Sequence, residues 1–161
     1  MTAHPGAIPQ LPCAIAPYVP QTQGMCLLER IVAVDDDTLS AEITPSAADI
    51  FATAEGIPGW VGLEWLAQAI AAWAGWHGAR RGEPPAPGFL IGTRRFTTVQ
   101  DRFAFGETVR ATIRLDFRAD NGLGQFHGEL CDGNGVCLAH GSLTIFQPAS
   151  LDAITSDDMA P

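Results

Sequence analysis

No lysine occurs in this 161-residue chain: all nine basic residues are arginine, set against eighteen acidic ones, for a formal net charge of −9. So acidic a chain lacks the positive field that non-specific nucleic-acid binding requires. It also has no polybasic segment to hold it at an anionic membrane surface. Cysteine is scarce. Cys13, Cys26, Cys131 and Cys137 show none of the CxxC or Cys/His spacings of zinc sites, so no metal is expected. Cys131 and Cys137 flank the turn-like stretch CDGNGVC and are placed to face each other across a hairpin. They read as reduced thiols, because the N-terminus has no basic region followed by an apolar run. The same absence points to a cytoplasmic protein. One long apolar run exists, Trp60 to Trp76, in which only Glu64 and Gln68 are polar. It falls short of the roughly 20 residues of a membrane span and carries a carboxylate near its middle, so it reads as a buried core helix.

The length suits one domain with a sizeable core, and 47% apolar with 17% charged residues fits a globular protein. Prolines at 5, 9, 12, 17 and 20 forbid regular helix or central strand, giving an extended lead-in over 1–17. The domain proper spans 18–147, and a polar tail follows over 148–161. Residues 25–45 read as two strands around the turn Asp35–Asp37. The helix is expected to begin at or just after Pro58 and to stop near Gly75 or Gly78. Strands follow over 88–99, 107–118, 123–131 and 136–146, the last three joined by Asn-Gly turns. In 107–118, Val109, Ala111, Ile113, Leu115 and Phe117 alternate with Arg110, Thr112, Arg114, Asp116 and Arg118, the pattern of a sheet with one buried and one wetter face. The order is α+β: a long apolar helix wrapped by an antiparallel sheet, with a strong tendency to dimerise so that every side of the helix is covered.

The stretches YVPQTQGMCLLERI, GIPGWVGLEWLAQAIAAWAG and GFLIGTRRF resemble the hotdog-fold 3-hydroxyacyl-[acyl-carrier-protein] dehydratases. More narrowly, they resemble the dehydratase-like proteins of aryl polyene biosynthesis. The resemblance implies a catalytic acid six residues after the helix Pro, which is Glu64 after Pro58, and a Gln four residues further on, which is Gln68. It implies an oxyanion-stabilising N–H at Gly59, and a substrate pocket near Ile50, Phe51, Pro58, Trp60 and Trp65. It implies no cofactor. The implied partners are an acyl carrier protein, docking on Arg94 and Arg95 within a basic rim, and a second hotdog chain in a homodimer or heterodimer. One departure matters. The family's His-Phe-Pro loop has its His eight residues before the helix Pro, and here that position is Ile50, followed by Phe51.

Dehydrating a 3-hydroxyacyl thioester needs a base for the α-proton and an acid for the β-hydroxyl. It also needs donors for the charge that gathers on the thioester oxygen. A carboxyl on an apolar helix is suited to be the acid, because burial favours its neutral form. Gln68 lies one turn on, placed to orient it. The base is missing. His4, His77, His127 and His140 all read as tail, helix-end or outer-strand residues. The resemblance implies an active site between two protomers, the His from one and the acid from the other, so this chain is expected to share a composite site with a second hotdog partner that brings the His. The alternatives are a non-catalytic subunit supporting an active partner, and an acyl thioesterase, a chemistry the same fold also hosts.

Overall fold

A computed structural model describes residues 7–148. Its strands are β1 (Cys13–Ala14), β2 (Arg30–Val34), β3 (Thr38–Ile43), β4 (Ile57–Pro58), β5 (Phe89–Thr98), β6 (Arg102–Phe103), β7 (Val109–Arg118), β8 (Leu123–Cys131) and β9 (Cys137–Phe146), and its helix α1 is Val61–Arg80. Seven strands form one antiparallel sheet in the order β1-β2-β3-β7-β8-β9-β5, while β4 and β6 pair separately. Side chains close the tight turns. Asp35 Oδ1 accepts the N–H groups of Asp37 and Thr38 between β2 and β3. Asp132 Oδ1 does the same for Asn134 and Val136 between β8 and β9.

The ladder is interrupted by register shifts in the β2–β3, β5–β9, β7–β8 and β8–β9 pairs. Each inserts an extra residue on one strand, which bends it and increases its twist. The sheet can therefore curve around α1, whose Trp65, Leu66, Ala69 and Ala72 are fully buried against it with Leu39, Ala41, Ile113 and Leu143. This is the α+β arrangement that the resemblance implies.

Several boundaries differ from the sequence reading. α1 starts at Val61 because Pro58 is used in the β4–β6 pair, opposite Arg102. It runs through both Gly75 and Gly78 to Arg80. Gly75 is a packing point rather than a stop: a Cβ there would collide with the Tyr18 carbonyl. The lead-in is not separate from the domain. Cys13 and Ala14 pair with Ile31 and Arg30, and Ile15 is fully buried. The polar tail lies outside the described residues apart from Pro148.

The alternation along β7 breaks near its end. Leu115 pairs with Phe126, but Phe117 pairs with Gln125 and Arg118 with Gly124, so Asp116 is the extra residue. Val109, Ala111 and Ile113 are buried as the pattern requires, whereas Phe117 is 65% exposed. The bulge has turned Phe117 outward, and it turns Arg118 toward the helix.

Candidate active site

α1 is not apolar on every covered side. Glu64, Ala67, Ala71 and Ala74 recur at helical spacing along one face, are only half-buried, and form one wall of a cavity of about 110 Å³. Their small side chains leave the space, and Phe126, Leu90 and Ile145 complete its apolar lining. Glu64 to Ala74 spans ten residues, about 15 Å of helix. Glu64 and Gln21 line the cavity, as does Arg118, whose guanidinium lies 5.8 Å from the Trp73 ring.

Among the described residues, Gln68 is the one polar side chain fully buried in the core. Its Oε1 accepts the Leu27 N–H at 2.8 Å, and its Nε2 donates to the Met25 carbonyl at 2.8 Å and to Glu64 Oε1 at 3.1 Å. One amide therefore ties the Met25–Leu27 segment to the helix and holds the carboxylate at the cavity. Gln21 enters from the segment just before. Its Oε1 is enclosed and has no hydrogen-bond partner among the described residues. A buried acceptor without a donor is costly, so Gln21 Oε1 is open to a donor in the cavity that it lines together with Glu64.

The remaining candidates separate into groups. Phe51 packs edge-on against Trp60 with ring centroids 5.4 Å apart, at the helix N-terminus, with Ile50 and Trp60 both largely exposed. Pro58 is held in the β4–β6 pair. Trp65 is core: fully buried, with its ring 4.6 Å from Phe103. None of these five lines the cavity. The Gly59 N–H donates to the Asp101 carbonyl at 2.8 Å. That bond occupies the group expected to serve as oxyanion donor. Gly is needed here because a Cβ would press on the Gln100 and Asp101 carbonyl oxygens, at 3.0 and 3.2 Å. No acceptor among the described residues reaches the next two N–H groups, those of Trp60 and Val61.

No histidine among the described residues lines the cavity. His77 is thirteen residues beyond Glu64, about 20 Å along the helix, and its Nε2 lies 3.0 Å from the Asp35 carbonyl. His127 and His140 stand near each other on the outer sheet face, and His4 is outside the described residues. Of the arginines, Arg81 forms a two-point pair with Glu83, Arg102 pairs with Glu55, and Arg80 lies over the Trp76 ring. Arg94 and Arg95 are exposed and have no carboxylate partner among the described residues. No helix among the described residues is long and apolar enough to cross a membrane.

A long helix carrying one acid, cradled by a curved antiparallel sheet, defines a hotdog-fold protein with a dehydratase-type helix. The chain belongs to the ApeP-like dehydratase family, whose model matches residues 13–156. Among solved structures it is similar to the dehydratase heterocomplex ApeI:P from Xenorhabdus doucetiae, with 29% identity and a TM-score of 0.82 over 92% of this chain and 98% of that one. The fold is shared with the PaaI protein of E. coli from the phenylacetic acid degradation operon, at 16% identity and TM-score 0.55 over 72% of this chain and 80% of that one. It is shared also with zebrafish thioesterase superfamily member 2, at 15% identity and TM-score 0.56 over 75% and 80%. No curated protein matches the chain.

Proposed function

We propose that this dehydratase acts on 3-hydroxyacyl thioesters carried by an acyl carrier protein, as one half of a hotdog heterodimer whose partner supplies the general base. The observation that carries this reading is Glu64, held by Gln68 at the cavity wall with no histidine among the described residues lining the same space. The similar ApeI:P structure is a heterocomplex, which supports a two-chain site. So does the cavity. At about 110 Å³ it is well below the roughly 300–1,000 Å³ of ordinary ligand pockets, as befits one wall of a shared chamber. β5 adds a third support. It is an edge strand and leaves Phe89, Leu90 and Ile91 exposed, a combination that calls for a covering chain.

In this mechanism the partner's base removes the α-proton, and the charge that develops on the thioester oxygen is received by the Trp60 and Val61 N–H groups at the positive end of α1. The Glu64 carboxyl gives its proton to the β-hydroxyl, which leaves as water as the Cα–Cβ double bond forms. The proton taken by the base returns to Glu64 through solvent, so the net change is loss of one water. Gln21 Oε1 accepts a hydrogen bond from the substrate hydroxyl or from the carboxyl. The carrier protein docks on Arg94 and Arg95, and its phosphopantetheine arm reaches the chamber. With reduced cysteines and a carrier-bound substrate, the reaction belongs in the cytoplasm.

The test is a mass-spectrometric dehydration assay of a 3-hydroxyacyl carrier protein, with this chain alone and with a His-bearing hotdog partner. Activity should require the partner and fall by about 10²–10⁴-fold in Glu64→Gln, with an enoyl product. Partner-dependent activity that survives Glu64→Gln would make this chain a support subunit. A free acid with released thiol would make the pair a thioesterase.

A further inference from the structure

We propose that Glu129, Cys131 and Cys137, with His140 beside them, form a binding site for a thiophilic divalent cation of the zinc class at the turn end of the β8–β9 hairpin. The two thiol sulfurs and a Glu129 carboxylate oxygen all lie within 4.8 Å of one another. A tetrahedral zinc with sulfur at about 2.3 Å and oxygen or nitrogen at about 2.0 Å holds neighbouring ligand atoms roughly 3.3–3.8 Å apart. Binding would draw the three ligand atoms closer together than they stand here. His140 is the cross-strand partner of Glu129; its ring lies outside the three-residue cluster and would have to turn toward it to become a fourth ligand. Two thiols, an imidazole and a carboxylate suit zinc and disfavour magnesium or calcium.

The spacing faces the two cysteines across the hairpin, and a bulge in the backbone decides which side of the sheet they share with Glu129. Leu130 pairs with Ala139, yet the next residue, Cys131, pairs with Cys137, so Leu138 is an extra residue. Without the bulge Cys137 would share the inward side of Ala139, Gly141 and Leu143, all buried. With it, Cys137 joins Cys131 and Glu129 on the outer face. Bulges re-aim side chains in this manner.

The local charge also lacks a counterion. Glu129 has no hydrogen bond or ion pair among the described residues. Arg110, the β7 neighbour of Cys131, is drawn away to Glu42 at 2.9 Å. A divalent cation would supply that counter-charge, replacing two thiol protons that are released on binding. None of the four residues lines the Glu64 cavity, so the ion would fasten the hairpin and take no part in dehydration.

The experiment uses the full-length chain, reduced with a phosphine and freed of chelator. Zinc is titrated against a chromophoric chelator, and cobalt is followed by its thiolate charge-transfer band in the near ultraviolet. The expected result is one equivalent per chain with that band, lost in the Cys131→Ser, Cys137→Ser double variant and unchanged in Cys13→Ser. Glu129→Gln and His140→Ala should each weaken binding by roughly tenfold or more, and they keep the test decisive if the double variant folds poorly. Three results would overturn the proposal: no charge-transfer band, binding that persists in the double variant, or a Cys131–Cys137 disulfide that forms in the presence of excess zinc.

Discussion

Replacing Gln68 by Leu removes three hydrogen bonds and keeps nearly the same volume, and the structure fixes what each loss costs. The Leu27 N–H belongs to a residue only 7% exposed, so without its acceptor it is left buried and unpaired, at about 1–3 kcal/mol. The Met25 carbonyl belongs to a residue 43% exposed, so water can replace the amide and little is lost. The bond to Glu64 is to a half-buried carboxylate that water also reaches. The stability loss is then about 2 kcal/mol, nearly all from one N–H. For a domain of this size 1 kcal/mol moves Tm by about 2–4 °C, so the melting temperature should fall by about 4–8 °C. The functional effect arises elsewhere. Glu64 loses the donor that fixes its orientation, and kcat in the partnered complex should fall by about 10–100-fold with KM little changed. Calorimetry of the isolated chain and steady-state dehydration of the complex read the two effects separately. A melting temperature within about 1 °C of the parent would refute the buried-donor argument. An unchanged kcat would refute the positioning role.

Gly75→Ala should destabilise the chain by about 2 kcal/mol, since the clash with the Tyr18 carbonyl outweighs the roughly 1 kcal/mol gain in helix propensity. Gly78→Ala should have the opposite sign, because a Cβ there meets nothing closer than 3.7 Å; urea denaturation of the two variants checks the contrast. Glu42 is held below the usual carboxylate range by its hydrogen bond from Arg110 and then by Arg30. Its contribution is therefore present above that range and lost as pH falls through the lowered value. Glu42→Gln should cost about 1 kcal/mol at neutral pH, small because both guanidiniums are solvated, and flatten the acid limb of stability against pH. The double variant Arg94→Glu, Arg95→Glu should weaken carrier-protein binding at low salt by about tenfold or more without altering the melting temperature; equal affinity for the two proteins would remove the docking proposal.

Local signals were enough for much of this fold. Strand β8 matches its expected span to the residue, because Asn-Gly turns bound it on both sides and its burial alternates without interruption. Glu64 and Gln68 were legible as a pair because the helix turns them to one side at a spacing of four. What the amide of Gln68 holds was not legible, since Met25 and Leu27 lie more than forty residues away. Trp65 was expected near the substrate pocket; the ring of Phe103, brought by the β4–β6 pair, holds it in the core instead. Gln21 gave no signal within its Pro-rich stretch. Its place in the site depends on where the chain crosses the helix, as fixed by the Tyr18 backbone against Gly75. Ile50 marks the other boundary. The absence of a histidine there was plain from residues alone, but a base supplied by another chain has no trace in this one.

The extra residue at Asp116 behaves like a reading-frame change in the sheet. Upstream of it, odd-numbered positions of β7 point to the helix; downstream, even-numbered ones do. That single shift exchanges a phenylalanine for an arginine at the cavity wall without altering the composition of the strand. Removing Asp116 would straighten β7 yet leave Arg118 opposite Gly124 and Phe117 opposite Gln125, since it is the residue without a partner. Polarity at this end of the chamber is therefore written in pairing phase, and it can be changed by moving a bulge as effectively as by changing a side chain.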